Sequence, residues 1–130
     1  MAITVSAAGK IAALDALLAL LNAGGAGKFV VKNGSGTSLA TMTFSSTSFA
    51  GATNVGGNAS ADSNTITGSS TPTPDDMASG DFQNNASTSV IAFAISESGG
   101  GGDMIVSDVT IPSDATSVTC DGVTVTLDID

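Results

Sequence analysis

The sequence predicts an α+β domain, mainly β, with one N-terminal helix packed on an antiparallel β sandwich or small barrel. Three observations carry that reading. Apolar residues recur at helical spacing over about residues 7–22. The last third of the chain alternates apolar and polar side chains, as half-buried strands do. Short apolar runs are separated by Gly, Asn and Asp turn signals, the pattern of a sandwich or barrel.

The helix is the first element. Ser6 can cap it by accepting from a free first-turn amide. Asn22-Ala23-Gly24-Gly25 can stop it, because glycine tolerates the left-handed cap conformation. Ile11, Leu14, Leu17, Leu18 and Leu21 share one face and should meet the sheet. The opposite face carries Ala12, Ala16, Ala19 and Ala23 rather than charges. Alanine favours helix and is tolerated by water. A flat alanine face also lets a neighbouring molecule approach closely.

The β region should run over about residues 28–130. Lys28–Lys32 reads as a strand, Asn33-Gly34-Ser35-Gly36 as its turn and Leu39–Phe44 as the return. Residues 45–80 are rich in Ser, Thr, Gly, Asn and Ala, with Phe49, Val55 and Ile66 as anchors. They read as a long surface loop with one short strand near Asn64–Thr67. Thr71-Pro72-Thr73-Pro74 cannot be an interior strand, since proline lacks the ladder donor. Val90–Ile95 follows as a strand with Ile91, Phe93 and Ile95 inward. Gly99–Gly102 reads as a flexible link to Met104–Val106, and Val109–Ile111 comes next. Val118–Cys120, the turn Asp121-Gly122 and Val123–Ile129 form the clearest predicted hairpin, with Val125 buried at its centre.

Composition bounds the rest. The 130 residues suit one domain. The apolar fraction is 42%, but five Phe are the only aromatics, so the core is thin and a partner could firm it. Three lysines face twelve acids. Lys10, Lys28 and Lys32 lie in the first 32 residues with Asp15 as the sole acid, net +2. The remainder holds eleven acids and no cation, net −11. So acidic a chain repels phosphate backbones, which points away from nucleic acid. The imbalance can serve solubility alone, or it can mark ends that face different surroundings. Ile11–Leu21 is too short for a membrane span, and Asp15 interrupts it as a secretory signal. Synthesis in a cytoplasm and no membrane partner are therefore expected. Cys120 is the only cysteine, so no intrachain disulfide can form.

The chemistry-bearing residues are sparse. The chain has no histidine, which removes the Ser-His-Asp and Cys-His arrangements. One cysteine cannot build a thiolate zinc site. The run Gly99–Gly102 is not a phosphate-cradling loop with its lysine. The aspartates 75, 76, 103, 108, 114, 121, 128 and 130 read as turn residues and do not have the spacing of a calcium loop. Asn33-Gly34-Ser35, Asn58-Ala59-Ser60 and Asn85-Ala86-Ser87 match glycosylation acceptors, a pattern common by chance in such chains. The sequence points away from an enzyme, and no cofactor or metal is expected.

The segments Ala12-Ala13-Leu14-Asp15-Ala16-Leu17-Leu18-Ala19-Leu20-Leu21-Asn22-Ala23-Gly24, Leu39-Ala40-Thr41-Met42-Thr43-Phe44-Ser45 and Phe49-Ala50-Gly51-Ala52 resemble those of small bacteriophage virion proteins. Members of that group start with such a helix, continue through Ala/Ser/Thr-rich β segments and end on an alternating Val/Thr strand like Val123–Ile129. The chain departs from them in a shortened first hairpin and in the Pro-Thr-Pro segment. The resemblance brings no catalytic residues. It implies a virion structural protein, with capsid decoration or cementing favoured, and a tail or baseplate component as the alternative. An extracellular adhesin or carbohydrate-binding module is a further alternative, disfavoured by the shortage of aromatics. The implied partners are the major capsid protein or other virion proteins, together with further copies of the chain as a homo-oligomer. The candidate contact residues are Lys10, Ala12, Ala16, Ala19, Lys28 and Lys32, on the cationic end of the chain.

Overall fold

The structure is a computed structural model, and residues 3–128 are described. Helix α1 spans Ala7–Ala19 and tightens into a 3-10 turn, Leu20–Asn22. The Ser6 hydroxyl accepts from the Gly9 amide at 3.1 Å and caps the first turn. Gly24 and Gly25 follow the last turn with positive φ, which ends the helix. Of the predicted apolar face, Leu14, Leu18 and Leu21 are buried, and Ile11 and Leu17 are half-buried.

Nine strands follow among the described residues: β1 (Lys28–Lys32), β2 (Ser38–Phe44), β3 (Thr53–Val55), β4 (Asn58–Asp62), β5 (Ile66–Thr67), β6 (Ser79–Gln83), β7 (Ser89–Glu97), β8 (Met104–Val106) and β9 (Thr124–Leu127). They form two sheets, of order β5-β2-β1-β6-β7-β8 and β3-β4-β9. The fold is thus mainly β with one N-terminal helix. Every pairing is antiparallel except β7 with β8, which is parallel.

The five phenylalanines converge on one point. Phe82 of β6 stacks on Phe29, Phe44, Phe49 and Phe93 with ring centroids 4.9–6.0 Å apart. The register explains the meeting: Phe29 lies directly across from Phe82 on one side and Met42 on the other. Gly80 lies across from Phe93, and a Cβ there would come within 2.4 Å of the Phe93 ring. The ring therefore folds over a position only glycine can hold, covering the backbone that glycine leaves bare. Leu14, Leu18, Leu21, Met42, Ala59 and Ala61 complete the core around this cluster.

Residues 45–80 differ from the predicted surface loop. They contain β3, β4 and β5 and the start of β6. Phe49, Ala59, Ala61 and Ile66 are core residues. The helix packs on β4 and β3, so alanine at 59 and 61 suits a place where backbones come close. Asp15 accepts from the Ala52 amide at 2.8 Å, and Asn22 accepts from both the amide and the hydroxyl of Ser48 at 2.9 Å. These bonds fasten the segment to the helix. Pro72 is buried beside strand β2, whose Leu39 carbonyl accepts from Thr73. The predicted strand near Asn64–Thr67 corresponds to β5.

The C-terminal hairpin is also corrected. Residues 118–120 form no strand, and β9 pairs with β4 instead, Val125 opposite Ala61. Val125 is half-buried. The predicted strand at 109–111 is reduced to a bridge between Thr110 and Asp76. Ile129 lies outside the described residues.

The glycine run is a packed turn and not a flexible link. Residues 98–103 reverse the chain twice so that Met104–Val106 lies parallel to Ile95–Glu97. Parallel neighbours normally need a crossover of a dozen or more residues. Gly99 and Gly101 take positive φ, at 88° and 77°. A Cβ at Gly100 or Gly102 would come within 2.7–2.8 Å of the Ser96 side chain. Ser96 accepts from the Gly102 amide at 2.9 Å, and Asp103 accepts from the Ala94 amide at 3.1 Å. Every glycine of the run thus has a steric or conformational reason.

Candidate functional site

The six residues flagged in the sequence do not form one patch. Lys10 is 6% exposed, and its ammonium donates to Asn58 at 3.0 Å, tying the helix to β4. Lys28 and Lys32 end β1 on the face opposite Phe29 and Val31, the residues that meet the core. Ala12, Ala16 and Ala19 are exposed on the helix, turned away from Leu14 and Leu18. Lys28 and Lys32 therefore lie on the outer face of the large sheet, and the alanines lie on the helix side of the core.

Lys28 donates to Ser87 at 2.9 Å. Lys32 belongs to a partly buried network that the sequence reading missed. Its ammonium is 3.3 Å from Asp81, which also accepts from Gln83 at 2.8 Å and from the Ser89 hydroxyl. Asp81 is 5% exposed. Burial pushes its pKa up, but the hydrogen bonds from Ser89, Gln83 and Lys32 and the lysine charge outweigh that, holding the carboxyl below its ordinary range. Its signal in the sequence is slight: one acid between Gly80 and Phe82, on the face that alternation turns outward. The network fixes the outer face over Val30, which is buried between register neighbours Thr41 and Asp81.

The helix presents a second surface. Ala8, Ala12, Ala13, Ala16, Ala19, Leu20 and Ala23 are all exposed, with Leu20 at 54%. Asp15 is the sole charge among them, and its carboxylate is engaged by the Ala52 amide. An exposed helix face is ordinarily polar, and this one is apolar apart from Asp15.

The third surface is a cleft of about 360 Å³ between the two sheets. Its apolar walls are Phe82, Ile91, Phe93 and Met104 on one side and Val123 and Val125 on the other. It opens because neither wall is finished. Among the described residues strand β9 has no neighbour beyond it, and β8 covers β7 only from Ile95 to Glu97. Backbone polarity follows from the hydrogen bonds that are made. The Val123 carbonyl accepts from Ser63, so Val123, Val125 and Leu127 direct their backbone groups toward β4. Thr124 and Thr126 direct theirs to the open side. Likewise the Ile95 amide donates to Ala78, so Ala92 directs its N–H and C=O outward from β7. Asp103 lines the cleft, and Asp62 accepts from the Thr124 hydroxyl at 2.6 Å. The cleft was not legible beforehand, because it depends on which strand β9 pairs with.

Among the described residues, no three His, Cys, Asp or Glu side chains cluster to hold a metal ion. No described helix is long and apolar enough to cross a membrane. Compared with known proteins, the chain matches no family model, no curated protein and no solved structure.

Proposed function

We propose that the chain is a bacteriophage virion structural protein that binds the head shell as a decoration or cement protein, acting by contact and not by catalysis. The observation that carries the reading is the apolar helix face, Ala8 to Ala23, left uncovered on a chain of net charge −9. Small side chains there admit a partner backbone closely, and the Leu14 side of the same helix is anchored in the core. The resemblance of the first 52 residues to small virion proteins supports the same assignment. A shell repeats its contact many times, so a modest contact per copy suffices through avidity. The partner is then the major capsid protein, and the protein passes from the host cytoplasm to the virion.

The test is occupancy on undecorated particles, with copies counted by mass spectrometry. Ala16→Trp should lose most of its occupancy while melting like the parent. Lys28→Glu should lose little, because an exposed ion pair with the partner contributes only about 0–1 kcal/mol. Hundreds of copies per particle support a head protein, and a few dozen or fewer would move the assignment to the tail. Full occupancy by Ala16→Trp would overturn the helix as the contact.

A further inference from the structure

We propose that the cleft between β7 and β9 accepts the extended segment Ile3-Thr4-Val5 of a second copy, so that the chain self-associates head to tail by strand addition. The acceptor is a β sandwich with one seam open. Thr124 and Thr126 offer free backbone groups from β9, and Ala92 offers them from β7, on opposite walls of an apolar cleft. An added strand would satisfy both the backbone groups and the apolar walls. Edge strands with this exposure are templates for pairing unless something blunts them. No lysine or proline occurs in β9, and no bulge breaks its register with β4.

The donor lies in the same chain. Residues 3–5 precede the Ser6 cap, are not helical and belong to no strand. Two of the three are apolar and all are β-branched, the composition that favours strands. Ile3 is 76% exposed, against 59% for Val55 and 54% for Leu20. Alternation places Ile3 and Val5 on one face of an extended segment, toward the cleft walls, with Thr4 outward.

Charge favours this pairing over a symmetric one. The cleft rim is acidic, with Asp103 lining it and Asp62 accepting from the rim residue Thr124, whereas Ile3-Thr4-Val5 carries no charged side chain. Two copies meeting through the same patch would oppose like charges. A head-to-tail contact instead puts an uncharged segment against the acidic cleft rim of the next copy and avoids that repulsion. The contact concerns the free chain in solution and does not depend on the virion reading.

The experiment is sedimentation of the full chain over a wide concentration range, with two variants. Ile3→Asp disables the donor at an exposed position. Thr126→Pro removes an amide that faces the open side and leaves the ladder to β4 intact. Each variant alone should be monomeric, with association weakened at least about tenfold, roughly 1.4 kcal/mol. An equimolar mixture should give a dimer and nothing larger, since one variant retains the acceptor and the other the donor. If Thr126→Pro lowers the melting temperature markedly, Ala92→Pro replaces it on the opposite wall. A parent that stays monomeric at every concentration overturns the proposal. So does a parent oligomer that survives Ile3→Asp, or a mixture that stays monomeric.

Discussion

The closed side of the sandwich and the open seam are built from different materials. Around Phe82 the strands β2, β1, β6 and β7 run side by side, and the other four phenylalanine rings all touch that of Phe82. At the seam, β8 and β9 are three and four residues long, and their apolar residues are only half-buried or exposed. A chain poor in aromatics can still build a firm core by putting every ring at one place. The consequence is a second region held by backbone pairing and a few aliphatic side chains. Stability should therefore be concentrated in one half of the molecule, and contact with partners should fall to the other.

The largest expected effect is at the centre of the closed side. Phe82→Ala removes a ring in contact with four others and should cost about 3–5 kcal/mol, read from denaturant unfolding. A loss below about 1 kcal/mol would show that the cluster is not the core. Gly80→Ala comes next. The Cβ would meet the Phe93 ring, and overpacking of this kind costs about 1–3 kcal/mol. Phe93→Leu in the same chain should recover part of that loss.

Asp81 sharpens the comparison through pH. Its folded pKa is lowered from the ordinary carboxylate value, so it contributes stability that is present above the unfolded pKa and lost as pH falls through the folded one. Asp81→Asn should flatten the acid limb of the stability profile below about pH 4. An unchanged acid limb would show that the network with Lys32, Gln83 and Ser89 is not maintained in solution. The smallest effect belongs to the seam: Val125→Ala should cost about 1 kcal/mol, since the side chain is only partly removed from water.

How much of this was legible follows from particular elements. The helix could be read because spacing, cap and stop agree: Ser6, the leucine face and Gly24 each act locally. The first hairpin and β7 could be read for the same reason. Strand β6 could not. Ser79-Gly80-Asp81-Phe82-Gln83 holds one apolar side chain, and its place in the sheet rests on Phe93 covering Gly80 and on three partners holding Asp81. Strand β4 was hidden because its buried residues are alanines, informative only once the helix is placed against them. The strand at 124–127 was legible, but its partner was not: alternation fixes which residues share a face and says nothing about which strand lies alongside. The sequence grouped the three lysines by proximity along the chain. The fold separates them, burying Lys10 against β4 and placing Lys28 and Lys32 on the outer sheet face.

The contrast between closed side and open seam is tested most directly by amide hydrogen exchange within β9, measured on dilute Ile3→Asp protein so that no second copy can cover the edge. Val125 and Leu127 direct their amides to β4, and Thr124 and Thr126 direct theirs to the open side. Protection should alternate along β9, with the threonine amides exchanging roughly a hundredfold faster than Val125, and Phe29 and Phe82 protected most of all. Uniform protection along β9, or protection at Thr126 equal to that at Phe82, would contradict that contrast.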